Sequence, residues 1–295
     1  MTCTHSSGHI FKRVSFTPHP KNFSAMVAGK DGLHESDVRN GLQFIDSKIH
    51  GTADDFFNFH NTLQIVYSCD AATSSCLVVN PHIDGVPDNT VYGSQRVLAT
   101  VRAGDRFSFY PLSHFPHPEN NTPPILATAT VATKKQVTDK KLLKQIAAWA
   151  LKTASNYTNR LMHFGDGSDC WNVSFGDVSA GSSGSNGDRG LADLSKVSTN
   201  SLVNIDSISG AGAVIRDCHF SVTACNLGRT KSSNSLITNT TFSFAASKNL
   251  EVTGLQIWFE GKFQINECVH LLTSLHKHTL ARTTHRCHYM IINVH

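Results

Sequence analysis

Asp31, in "GKDGLH", lies 23 residues before Asp54 and 24 before Asp55, the adjacent pair in "HGTADDFFNF". Taken singly, an Asp-Gly dipeptide is a turn, and a pair of aspartates before an aromatic run caps a strand. Together, three carboxylates spaced so that a structural repeat would stack them are costly, because each like charge opposes the ionisation of its neighbours. Such clustering is found at functional sites more often than in inert scaffold. The chemistry that uses clustered carboxylates is glycoside hydrolysis: a protonated carboxyl donates to the leaving oxygen, while ionised carboxylates activate water on the other side of the sugar. Neighbouring residues on a strand point in different directions, so Asp54 and Asp55 can take different roles. Inversion is expected where acid and base stand roughly 6.5–9.5 Å apart, leaving room for water.

Those carboxylates converge only if the chain repeats at their spacing. A repeated phrase is present: an apolar pair, a polar residue, then a short strand carrying an aromatic or aliphatic residue. It runs from Val214-Ile215 to Phe220, from Leu236-Ile237 to Phe242, from Phe44-Ile45 to Ile49, and from Ile10-Phe11 to Phe16. Phe220 and Phe242 are 22 residues apart. A period near this length, with β-rich rungs, polar corners and little helix, predicts a right-handed parallel β-helix of the pectate-lyase-like solenoid kind, each rung stacking its apolar residues on the next. A β-sandwich, the competing all-β reading, would place hairpin turns every 8–12 residues instead.

The period breaks after Val66 and resumes near Leu202. Between them "CLVVN", "TVYGSQRVLATVRAGDRFSFYPL" and "ILATATVATKKQV" read as antiparallel strands, predicting an inserted β-barrel or β-sandwich. One amphipathic helix, near 139–154, carries Leu142, Leu143, Ile146, Ala147, Ala150 and Leu151 on one stripe. Thr138 or Asp139 can cap its start, and Trp149 falls off the stripe, at a half-exposed position. "SAGSSGSNGDRG" reads as a flexible loop. The expected organisation is therefore 1–61 as solenoid rungs, 62–200 as the insert, 201–265 as further rungs, and 266–295 as an atypical tail rich in His, Thr and Arg.

Composition narrows the function classes. The chain has 295 residues, 40% hydrophobic and only 16% charged, which allows a sizeable core and argues against a long solvated helical protein. A scattered net charge of +4 is no nucleic-acid footprint. There is no run of 18 apolar residues, so no membrane partner is expected. Eight cysteines lack CxxC spacing and 17 histidines are dispersed, so neither a metal nor another cofactor is expected. Cys69 and Cys76 flank a short polar loop and can either form a small disulfide or remain as buried thiols. Sequons at Asn22, Asn120, Asn156, Asn172 and Asn239 are compatible with secretion. "MTCTHSSGHIFKRVSF" lacks the apolar core of a signal peptide, and the expectation is a chain without its natural beginning.

The interrupted solenoid together with Asp31 and Asp54-Asp55 resembles glycoside hydrolase family 110, the inverting α-1,3-galactosidases, over roughly residues 8–265. The resemblance implies a β-helix interrupted by a barrel, action on terminal α-linked galactose, and an extracellular or secretory location. It also implies a partial member of the family, because upstream rungs are nearly absent. It assigns Asp54 as general acid, with Asp31 and Asp55 positioning and deprotonating water. His34 and His60 flank the carboxylates and are candidate sugar-binding residues. Arg229 and Lys231 fall on the rung that follows the pair once the insert is skipped, and Trp258 and Glu260 in "QIWFEG" end the next, offering an aromatic face beside a carboxylate. The expected partner is an oligosaccharide or glycan, and a homo-oligomer is allowed.

The polygalacturonase-type β-helix is a second relative, with Lys30-Asp31, Asp54-Asp55 and Arg229-Thr230-Lys231 in place, but its Gly-His-Gly is absent. Two further readings stay open: a non-catalytic or degenerate carbohydrate-binding β-helix, and a polysaccharide lyase, which would require calcium or an Arg or Lys base. A nucleophilic hydrolase is not expected, as no GxSxG stretch is present.

Overall fold

The computed structural model describes residues 2–4, 7–18, 28, 30–80, 82–83, 97–111, 125–157, 162–163, 170–180, 194–224, 227–230, 234–245, 250–252, 270–272 and 293–294. Lys231, Trp258 and Glu260 lie outside them. The protein is all-β, with parallel sheets and a closed six-stranded barrel. It divides into one unit of Met1–Asn61, Ile208–Gly254 and Lys262–His295 and another of Thr62–Ser207 with Leu255–Gly261.

The first unit contains three five-stranded sheets, and every strand pair described in them is parallel. The chain visits the sheets in rotation. Ile10–Lys12, Gln43–Ile45, Val214–Arg216 and Leu236–Thr238 belong to one sheet, and Ser15–Phe16, Lys48–Thr52, His219–Thr223 and Thr241–Ala245 to the next. Leu33–Ser36, Phe57–His60, Gly228–Thr230 and Leu250–Val252 belong to the third. Within 266–295, His270–Leu272 pairs in parallel with Leu236–Thr238, and Asn293–Val294 with Thr241–Phe242.

The repeated phrase of the sequence is visible as register. Phe11 aligns with Phe44, Phe44 with Ile215, and Ile215 with Ile237. Ile49 aligns with Phe220, and Phe220 with Phe242, whose rings stack at 5.2 Å with only 13° between their planes. Stacking identical side chains one repeat apart gives each strand its packing partner and its hydrogen bonds in a single step. Phe44, Phe56, Phe57, Phe59, Phe220 and Phe242 form the centre of a continuous apolar core.

The bends between successive strands repeat too. Arg13, Asp46, Asp217 and Asn239 each have a positive φ, between 46° and 59°. Asp and Asn tolerate this left-handed backbone better than most residues. Their amides continue the ladder around the corner, Arg13 N–H to the Ile45 carbonyl and Asp46 N–H to the Arg216 carbonyl, and the Asn239 side chain donates to Asp217 Oδ1 at 2.7 Å.

The second unit holds the barrel, formed by Gln64–Asp70, Ser75–Val79, Arg106–Tyr110, Ala127–Gln136, Cys170–Ala180 and Leu202–Ile205, all antiparallel. Phe107, Phe109 and Phe175 meet in it, with ring centroids 5.6–6.4 Å apart. Two expectations need correction. Leu202–Ile205, read as the resumption of the period, is a barrel strand, and parallel pairing begins again only at Ser209, which bridges to Val38. Its alternating apolar side chains suit either environment, so pattern alone could not separate them. Val97–Thr100, read within a strand, is a helical turn. Cys69 and Cys76 are disulfide-bonded across their hairpin. The helix spans Lys140–Tyr157; Asp139 caps it by accepting the Lys141 and Leu142 amides through Oδ1. Trp149, half-buried, donates to Asn200 and packs edge-on to Tyr67. No helix among the described residues is long and apolar enough to cross a membrane.

One buried group in the first unit makes stability depend on pH. Glu35 shares its strand face with core residue Leu33, is 2% exposed, and accepts the Leu42 amide at 2.7 Å. Burial pushes its carboxyl from 4.5 up to about 8, offset in part by the Leu42 hydrogen bond. Because the raised pKa means that the folded state keeps a proton the unfolded chain has lost, the contribution is fully present below about 4.5 and is lost as pH rises towards about 8. The loss approaches ~1.4 kcal/mol per pH unit. Glu35→Gln keeps the acceptor and has no proton to lose, so denaturant midpoints at pH 5 and pH 8 should converge in the variant. An unchanged pH slope would contradict this assignment.

Candidate active site

Asp31 and Asp55 occupy equivalent positions on neighbouring strands. Each stands two residues before a strand of the same parallel sheet, and Leu33 aligns with Phe57. The register extends upstream of the strands, with Gly32 N–H bonded to the Asp55 carbonyl and Leu33 N–H to the Phe56 carbonyl. Asp31 is therefore set beside Asp55, with Asp54 immediately before it. Gly32 makes the approach feasible: a Cβ there would meet the Phe56 carbonyl oxygen at 2.7 Å.

One carboxylate oxygen from each of Asp31, Asp54 and Asp55 lies within 4.8 Å of the other two. Their environments differ. Asp55 is 1% exposed and its Oδ2 lies 3.0 Å from Arg229 Nε. Asp31 Oδ2 lies 2.8 Å from His34 Nδ1. Asp54 is only half-buried, and its Oδ1 accepts the Asp55 amide at 3.0 Å; no cation partners it among the described residues.

The backbone of Asp54 is held from two sides. Its carbonyl accepts the Thr52 hydroxyl at 2.9 Å and the Thr223 hydroxyl as well. Thr52 and Thr223 are register partners on adjacent strands. Sequence reading passed over them, although each follows its inward apolar residue, Ile49 or Phe220, by three positions.

The sheet also explains which side chains reach the carboxylates. His34 aligns with Asn58, and Asn58 with Arg229, so the three share one face. The end members turn back to Asp31 and Asp55. Arg229 lies beside the carboxylates, its guanidinium ion-paired to Asp55. His34 and His60, the other candidate sugar-binding residues described, are both buried, at 8% and 4% exposure. Their ring nitrogens face Asp31, each other at 3.0 Å, and the Asn61 carbonyl at 3.4 Å. Asn58, buried between His34 and Arg229 in the ladder, went unnoticed because a lone Asn in an aromatic strand carries no motif.

Oxygen donors this close have the chemistry to hold a hard divalent cation, although the Arg229 guanidinium already faces one of them and the His34 ring another. A groove of about 490 Å³ along the corner column, lined by Arg13, Asp46, Lys48, Asp217 and His219, does not include the carboxylates. No family model matches the chain, and no curated protein matches it.

Proposed function

We propose that the protein is a glycoside hydrolase whose three carboxylates cleave terminal α-linked galactose by single displacement with inversion. The observation that carries this reading is the convergence of Asp31, Asp54 and Asp55 in unequal environments. Two carboxylates face cationic or proton-bearing groups and one does not, an asymmetry that suits the separate acid and base roles of acid/base hydrolysis. In this mechanism Asp54 protonates the leaving oxygen, and Asp31 and Asp55 hold and deprotonate the attacking water.

The 4.8 Å limit on the oxygen separations is shorter than the gap usual for inverting enzymes and closer to that of retaining ones. Burial favours water as the attacking group nonetheless. A nucleophilic carboxylate must touch the anomeric carbon, and Asp55, 1% exposed and tied to Arg229, is poorly placed to do so. A water molecule is small enough to reach it.

The finer architecture belongs to the same proposal. The rotation of the chain among three parallel sheets and its left-handed corners support a right-handed parallel β-helix interrupted by the barrel, as in glycoside hydrolase family 110. The identity of the sugar, a glycan as substrate and a secretory location rest on that resemblance. The test is a panel of aryl-glycosides with purified protein: turnover of the α-galactoside is expected, and absence of turnover on every member would overturn the proposal in favour of a non-catalytic β-helix.

A further inference from the structure

Besides Arg229 at Asp55, a second group that can carry positive charge is buried behind Asp31. His34 Nδ1 lies 2.8 Å from Asp31 Oδ2, and His34 Nε2 lies 3.0 Å from His60 Nε2. The two rings stand edge to face, 88° between planes and 4.9 Å between centroids. His60 Nδ1 faces the Asn61 carbonyl at 3.4 Å. Two ring nitrogens at hydrogen-bond distance need one proton between them, since two lone pairs would repel and two N–H groups would clash. A carbonyl only accepts, so His60 Nδ1 carries a proton to meet it.

Counting protons over these contacts gives three for the Asp31–His34–His60 unit. With the carboxylate ionised, all three are on the imidazoles and the pair carries one positive charge. If the His34 Nδ1–H bond breaks and an O–H bond forms on Asp31, both rings become neutral and the same three contacts persist. The proton can thus sit on either side of the 2.8 Å contact without any heavy atom moving.

We propose that His34 and His60 share one proton and together hold a positive charge against Asp31. Resting on the hydrolase reading, the step is as follows. The unit, holding its three protons with Asp31 ionised, takes a fourth from the attacking water on the Asp31 oxygen that does not face His34. The water O–H bond breaks, an O–H bond forms on Asp31, and the oxygen bonds to the anomeric carbon as the glycosidic bond cleaves, its leaving oxygen taking the Asp54 proton. The shared proton stays between the two rings throughout. Among the described residues, Asp54, Asp55 and Arg229 are further charged groups at this site, while Glu35 projects from the opposite face of the His34 strand. His34 and His60 are positioning residues, acting through Asp31.

The test uses the full chain with 15N-labelled histidine and no substrate. A through-hydrogen-bond N–N coupling between two imidazole Nε2 atoms is expected, surviving in Asp31→Asn and lost in both His60→Gln and His34→Gln, with circular dichroism verifying that each variant folds. A folded wild-type protein lacking the coupling would overturn the shared proton. Kinetics provide the second arm: His60→Gln should lower kcat for an aryl-galactoside about 10–100-fold, the scale seen for groups that tune a reacting ligand from behind, leave KM unchanged, and displace the pH–rate profile. Lower kcat with an unmoved profile would mean that the pair only packs. If no glycoside is turned over, the hydrolase reading fails while the coupling still decides whether the proton is shared.

Discussion

Replacing Asp54 by asparagine should lower turnover of an α-galactoside by about 10²–10⁴-fold, the range that a positioned general acid contributes, without disturbing the fold. The expectation of an intact fold comes from how Asp54 is held. Its carbonyl is fixed by the hydroxyls of Thr52 and Thr223, and its side-chain oxygen accepts the Asp55 amide at 3.0 Å, a bond that an asparagine oxygen can also accept. What the variant lacks is a proton to give to the leaving oxygen. Matching circular dichroism with a collapse of kcat is the expected pair of measurements. Undiminished turnover would show that the acid is another residue.

Arg229→Met should have the largest effect on stability. Asp55 is 1% exposed and its carboxylate faces the guanidinium at 3.0 Å. Removing one partner of a buried ion pair leaves an uncompensated charge, at a cost of about 3–5 kcal/mol. Neutralising the other partner should relieve most of that cost, so the double variant Arg229→Met, Asp55→Asn should be more stable than Arg229→Met alone, though inactive. Chemical denaturation of the four proteins in the cycle measures the coupling directly. A single variant losing less than ~1 kcal/mol, with no recovery in the double, would mean that this pair behaves as a surface salt bridge.

The parts of this arrangement that were legible in the sequence are those in which one residue type recurs at one spacing. Phe220 and Phe242 announced their own stacking, and Asp31 announced its place beside Asp55, because a parallel register converts sequence distance into adjacency. The intervening barrel was legible only as a loss of that recurrence, so its final strand, Leu202–Ile205, was drawn into the wrong pattern. At the site, the carboxylates could be found from spacing, and Arg229 from the strand that follows. Their pairing could not, since a guanidinium on a neighbouring strand can turn to a sugar or to a carboxylate with the same sequence. His34 and His60 illustrate the same limit: 26 residues separate them, which fits neither helix spacing nor the repeat closely, because they come from consecutive strands but from different positions along them. Thr52 and Thr223 were hidden by a separation of 171 residues, most of it the insert.

The account stands or falls on water, rather than a carboxylate, attacking the sugar. Following the first-formed product of an α-galactoside by proton NMR, before mutarotation, decides this. Inversion yields β-galactose first, as expected if Asp31 and the buried Asp55 act only through water. α-Galactose appearing first would mean that one of these carboxylates attacks carbon directly through a covalent intermediate, in line with their close spacing, and would contradict the roles assigned to Asp31 and Asp55.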